Sequence, residues 1–321
     1  MGMSTEDPAA YGARFGPRFW WPQYWPLWLA LILMQALARR DFADLVRFGR
    51  RLGNVARHLP LPQKSVVRRN IELAIPELPP LQRERLLQEH FREAGVTLAE
   101  TAIAWFADDE RIRSLVRMEG LEHLDAAQAE GRGVIVLAAH FTTLEIGARF
   151  LTATRTAHAV YKPSNNALLS ELFKRYRGPC AASMIASDDI RSMVRVLRQG
   201  GIVWYAPDQS YRGKGAERVE FFGHPVATNT ATSRLVKMTD ALVLPYFVER
   251  LPGVLGYRAI LGAPLADFPG ESAYEDALRH HALIEQEVRR NPAQYLWLHK
   301  RFKDIPGGNR DYYKKHRHVG N

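Results

Sequence analysis

In the stretch "GVIVLAAHFTTLEIGARFL", Gly133 to Leu151, a histidine and a carboxylate stand five residues apart as His140 and Glu145. An imidazole with one ring nitrogen held by a carboxylate offers the other as a general base, able to take the proton of an attacking hydroxyl. On a continuous helix, residues five apart diverge by about 140°. The pair can therefore meet only if His140 lies in a turn and Glu145 in the first turn of the helix that follows. The expected roles are His140 as base and Glu145 as its orienter. Thr142 to Glu145 also fits S/T-x-x-E, a capping box in which the glutamate bonds the cap backbone instead, and the pattern alone leaves both readings standing.

Two more polar clusters follow apolar runs in the same way: Lys162, Asn165 and Asn166 in "YKPSNN", and Asp208 with Gln209 in "WYAPDQ". The runs before them read as buried strands: Val134 to Ala139, His158 to Tyr161, Ala182 to Ile185, Ile202 to Ala206 and Ala241 to Val248, with helical periodicity between. That alternation predicts an α/β fold with a mostly parallel central sheet flanked by helices. "GYRAILG" is expected as an antiparallel edge and Tyr274 to Arg290 as a long late helix. Open parallel sheets place ligands at strand carboxyl ends, and all three clusters fall there. Asp208 is expected to order a loop or position a headgroup, a plain turn after Pro207 being the alternative. "RGKGAE" is expected to be a mobile loop over the site. No HExxH, Walker lysine loop, GxGxxG or GxSxG occurs,. Cys180 is the single cysteine, so neither an internal disulfide nor a cysteine-cluster metal site is available.

The chain has 321 residues, with 44 Lys and Arg against 34 Asp and Glu, a formal charge of +10. An anionic partner follows from that balance. Phe19 to Ala38 carries no charge and includes four tryptophans between Trp20 and Trp28, and from Arg39 to Arg69 nine basic residues face only Asp41 and Asp44. Trp-rich apolar sequence followed by a basic cluster is the pattern of a membrane protein held on its cytoplasmic side. The expected organisation is a hydrophobic anchor helix within residues 1–38, single-pass or monotopic, a basic helical membrane-proximal region over 39–110, and an α/β domain over 111–321. Nucleic-acid binding would need a recognition motif, and none is present.

The blocks "AAHFTTLEIGARFL", "YKPSNN", "VWYAPDQSYRGKG", "FFG" with "VATNTATSRL", and "PAQYLWLHKRFK" occur in this order, together with the Trp-rich segment and "RRNIELAIPEL". In this the chain resembles the lipid A biosynthesis late acyltransferases, the lauroyl and myristoyl transferases of Gram-negative bacteria, over nearly its whole length. The resemblance implies a glycerolipid-acyltransferase-like fold and transfer of a fatty acyl chain from acyl carrier protein to a hydroxyl on the Kdo-bearing lipid A precursor. It implies His140 and Glu145 as the catalytic dyad, no metal or cofactor, and an inner-membrane location with the catalytic domain on the cytoplasmic face. Lys162 stands where arginine is commoner and Ser210 where an acid is often found, so Arg177 is expected to share the role of Lys162. The C-terminal run "HKRFKDIPGGNRDYYKKHRH", with seven Lys or Arg, is expected to dock the acidic carrier protein or to bind lipid phosphates. Acylation of another glycolipid or a lysophospholipid, and a non-catalytic membrane scaffold, are the alternatives.

Overall fold

A computed structural model describes residues 15–303 and Tyr313. Five helices come first: α1 (Trp25–Ala38), α2 (Phe42–Ala56), α3 (Pro62–Ala74), α4 (Pro80–Phe106) and α5 (Asp109–Ser114). The α/β part follows as β1 (Val116–Glu119), α6 (Leu121–Ala129), β2 (Val134–Leu137), α7 (Leu144–Thr154), β3 (Ala157–Tyr161), α8 (Ala167–Arg177), β4 (Met184–Ala186), α9 (Ile190–Arg198) and β5 (Ile202–Tyr205). It ends with β6 (Ala216–Phe221), β7 (His224–Asn229), α10 (Ala231–Thr239), β8 (Leu242–Arg250), β9 (Tyr257–Leu261) and α11 (Ala273–Arg290).

Seven strands form the central sheet in the order β1-β9-β8-β2-β5-β3-β4. β8, β2, β5, β3 and β4 are parallel, and β9 runs antiparallel to β8. The "GYRAILG" strand thus has the expected direction but is not the edge, because β1 pairs outside it. Residues 216–229 form a separate antiparallel hairpin of β6 and β7. Its two-residue turn, Phe222 and Gly223, has positive φ at both positions, which matches the twist of hairpin strands.

β2 and β5, in the middle of the sheet, are apolar and buried at every position because both sheet faces are covered. On β2, Val134 and Val136 pack in one core with α4 and α7 residues such as Ile103, Ile146 and Phe150. Ile135 and Leu137 point the other way, into a core with Met193 and Leu197 of α9 and Leu235 and Val236 of α10. Leu45 of α2 joins the first core, and Leu37 of α1 packs against it. α1, α2, α4 and α7 therefore cover one face, α9 and α10 the opposite one.

The expected spanning anchor is corrected by the fold. Among the described residues no helix is long and apolar enough to cross a membrane. Pro22 and Pro26 interrupt the start of the segment, so that two short 3-10 turns precede α1, which has 14 residues. That is about 21 Å of helix, against the ~30 Å of a bilayer core. Phe19 and Leu31 are buried in a cluster with Leu168 and Leu172 of α8. Trp21, Trp25, Ile32 and Leu33 stay exposed. α2 is held close to α4 by Gly49, Gly53 and Gly95, since a Cβ on Gly53 would lie 2.0 Å from the Phe91 carbonyl oxygen. Its outer side carries Phe48, Leu52, Val55 and, just beyond the helix, Leu59, all exposed at helical spacing.

Candidate active site

His140 leaves β2 and Asp208 leaves β5, two neighbouring parallel strands. The register pairs Leu137 with Tyr205, and His140 and Asp208 each come three residues later, so they arrive opposite one another. The His140 Nδ1–H donates to Asp208 Oδ1 at 2.5 Å, and the His140 backbone N–H donates to Oδ2 at 3.0 Å. A carboxylate can only accept, so Nδ1 carries the proton and Nε2 is the basic nitrogen. From the other side the chain near the C-terminus staples the turn: the Leu296 N–H donates to the His140 carbonyl at 3.0 Å and the Thr142 N–H to the Gln294 carbonyl at 2.7 Å.

Asp208 is 2% exposed. Burial alone would raise its pKa, but the His140 charge and the hydrogen bonds from the His140 ring and backbone hold it well below the usual carboxylate range. His280 and His299, whose electrostatics also couple to Asp208, are both pushed down to about 4, by burial first and by the Arg301 cation second. They are neutral at physiological pH. His299 Nε2 accepts the Ser210 N–H at 3.1 Å, fixing the start of the loop after Asp208.

Glu145 does lie in the first turn of α7, but its carboxylate orients a different partner. Arg177 of α8 donates from Nε to Oε1 at 2.7 Å and from Nη2 to Oε2 at 2.5 Å, and the Trp105 indole of α4 donates to Oε1 at 2.7 Å. The orienting role expected of Glu145 toward His140 is thus filled by Asp208. The capping box is not formed either: Thr143 is the N-cap and makes no side-chain cap bond. Both misreadings share one cause, because α7 turns Glu145 across the site toward α8 rather than back along its own chain.

A cavity of about 360 Å³ opens at these strand ends, within the ordinary range for ligand pockets. His140, Glu145, Lys162, Arg177 and Gln209 line it, as do Trp105, Tyr176, Tyr211 and Asn229. Much of the remaining wall is apolar, including Leu144, Ala148, Val160, Met184 and Trp204. Asn165 and Asn166 are not among its lining residues: both are exposed, and the Asn166 side chain caps α8 by accepting the Leu169 N–H at 3.1 Å. Of the basic C-terminal run, only His299 to Lys303 and Tyr313 fall within the described residues.

Residues 13–304 match the family described as bacterial lipid A biosynthesis acyltransferase. The chain belongs to that family. It is 35% identical over 301 residues to the lipid A biosynthesis palmitoleoyltransferase of Escherichia coli (strain K12), covering 94% of this chain and 98% of the relative. Identity to the lauroyltransferase of the same organism is 32% over 296 residues, 92% and 97% of the two chains. A lipid A biosynthesis acyltransferase of Haemophilus influenzae is 34% identical over 299 residues, 91% and 95%.

Within this acyltransferase the pairing partner of His140 is what sequence reasoning missed, although Asp208 was among the residues singled out. The signal lay in equal offsets: both residues sit three places past a strand's last paired position. Reading it requires knowing that β2 and β5 are neighbours, and they are separated by β3, β4 and three helices in the chain. Trp105 and Tyr176, whose rings stack at 5.3 Å and 5°, come from the helical segments and carried no motif.

Proposed function

We propose that this enzyme transfers a fatty acyl chain, of lauroyl size or similar, from acyl carrier protein to a hydroxyl of a hydroxyacyl chain on the Kdo-bearing lipid A precursor. The observation that carries the reading is the His140–Asp208 pair at the wall of a largely apolar cavity. His140 Nε2 takes the hydroxyl proton as the oxygen attacks the thioester carbonyl carbon. The C–S bond then breaks, and the departing thiolate receives the proton from Nε2–H. Asp208 stabilises the imidazolium formed in between. Glu145 holds Arg177 in one orientation, and the guanidinium N–H groups left over, with the Lys162 ammonium, supply positive charge for the thioester oxyanion and the lipid phosphates. The relatives' names cover palmitoleoyl and lauroyl transfer; the apolar wall suits either. Incubating the enzyme with a series of acyl carrier protein thioesters and a tetra-acylated precursor, then weighing the lipid, tests the assignment. One added acyl ester is expected; unchanged precursor with every donor, alongside acylated lysophospholipid in a parallel incubation, would reassign the acceptor.

The same reading puts the enzyme on the cytoplasmic face of the inner membrane, lying on the bilayer rather than crossing it. The support is the exposed apolar face of Trp21, Trp25, Ile32 and Leu33, continued by Phe48, Leu52 and Val55 with Arg47 and Arg51 alongside. Burying one such side chain contributes roughly 1.5–3 kcal/mol. Changing Trp21, Trp25, Ile32 and Leu33 together to serine should therefore weaken partition to anionic vesicles by about a hundredfold or more. Activity on detergent-dispersed lipid should survive, because these side chains face away from the core. Undiminished vesicle flotation of the variant would refute the surface.

A further inference from the structure

α9 and α10 lie side by side on the sheet face opposite α1 and α2, with Arg198 of α9 donating from Nε and Nη2 to the Met238 carbonyl at 3.1 and 3.0 Å. α9 carries Arg191, Arg195 and Arg198, at i, i+4 and i+7 on one side, and α10 carries Arg234 and Lys237; neither helix contains an acidic residue. All five cations are exposed, and Met238 is the one exposed large apolar side chain on the two helices. Asp189 caps α9 by accepting the Ser192 N–H at 3.0 Å and also feels Arg195 and Arg191, Asp240 pairs with Arg132, and Asp188 is exposed just before the helix, so the five cations outnumber the carboxylates around them.

This surface starts at the mouth of the cavity. Asn229, in the cavity wall, immediately precedes the N-cap of α10. The Arg234 guanidinium packs against Gly215, at the end of the loop that begins with cavity residues Gln209, Ser210 and Tyr211. Lys214 in that loop and Lys162 at the end of β3 are exposed cations on the same rim. Exposed cations thus run from the cavity rim onto α10 and along α9, with Asp188 and Asp189 between the cavity residue Ser187 and the start of α9.

A cationic helical surface of this kind fits either anionic lipid or an acidic protein, and its position decides between them. The apolar side chains suited to a bilayer lie on α1 and α2, across the full thickness of the sheet. A bilayer contacting that face leaves α9 and α10 turned toward the aqueous phase, where headgroups do not reach. We propose that the outer face of α9 and α10, centred on Arg191, Arg195 and Lys237, docks the acidic protein that carries the acyl thioester, which then threads its prosthetic arm past Lys162 and Lys214 into the cavity. The proposal rests on the carrier-protein donor reading above.

The test is a variant with Arg195→Glu and Lys237→Glu, assayed with acyl carrier protein thioester and with a neutral acyl-pantetheine thioester as donors, at several salt concentrations. Opposite charges at such a surface mainly govern encounter. The expected result is a fall of about tenfold or more in kcat/KM for the protein donor at low salt, narrowing as screening shortens the Debye length to about 8 Å at physiological ionic strength. The neutral thioester should be turned over as by the wild type, which also shows that the variant is folded. An unchanged rate with the protein donor, or equal losses with both donors, overturns the docking site. So does a parallel loss of binding to anionic vesicles, which would assign the surface to lipid. Failure of the donor reading itself looks different: there the wild type would use the small thioester and ignore the carrier protein.

Discussion

Exchanging Asp208 for asparagine should lower kcat by about 10³–10⁴ while leaving the fold intact. The amide keeps the size of the carboxylate and can still accept the His140 backbone N–H through its oxygen. Toward the ring, however, it presents an NH₂ group. Nδ1 must then accept, the proton moves to Nε2, and the nitrogen facing the substrate is no longer a base. His140→Ala should cost a similar factor, and the double variant little more than either alone, because the two residues act as one unit. Glu145→Gln should cost much less and should leave the acid limb of the kcat/KM profile at its wild-type midpoint, since the partner of His140 is untouched; what it weakens is the hold on Arg177. Steady-state kinetics of the four variants with carrier-protein donor separate the assignments. A fully active Asp208→Asn beside an inactive Glu145→Gln would return the orienting role to Glu145.

Acid should unfold this protein well above the range in which its carboxylates titrate. His90, His280 and His299 are held down to about 4 and His281 to about 3, in each case first by burial. Unfolded, each would titrate near 6.5. Between those values the unfolded chain binds more protons than the folded one, so stability rises with pH across the window and is lost as pH falls from about 6.5 toward 4. Roughly 3–5 kcal/mol per histidine is at stake, against a typical total of roughly 5–15 kcal/mol. The depressed Asp208 acts in the same direction but only at lower pH, since its contribution is complete above the unfolded carboxylate range and disappears as pH falls through its folded value. Melting temperature measured in pH steps should therefore drop steeply below pH ~6, and His90→Gln should flatten the slope. His90 bonds the Ala293 carbonyl at 3.0 Å and, unlike the other three, is held down by burial without any contribution from Arg301, so its effect is separable from the site. A melting temperature level from pH 7 to 4.5 would show that these histidines titrate freely.

What the sequence determined by itself is whatever depends on local periodicity and on strand ends. Short continuous apolar runs such as Val134 to Leu137, β-branched and closed by turn residues, read as strands covered on both faces, and the polar residues that follow them collect on one edge of a parallel sheet. His140, Lys162 and Gln209 share one cavity for that reason, while Arg177 joins them from the end of α8. Local pattern failed wherever a partner comes from elsewhere in the chain. The carboxylate that orients His140 is set by strand order, which brings residue 208 beside residue 140 while Glu145, far nearer in sequence, turns toward Arg177 and Trp105. The apolar N-terminal segment has the composition of an anchor, yet Pro22, Pro26 and the burial of Phe19 and Leu31 against α8 make it a short helix packed on the body of the protein. The division of the surface into an apolar side on α1 and α2 and a basic side on α9 and α10 is likewise a property of the fold. α2, α9 and α10 are amphipathic in their own sequences and α1 is apolar nearly all round, but only the sheet between them decides that the two exposed faces look in opposite directions.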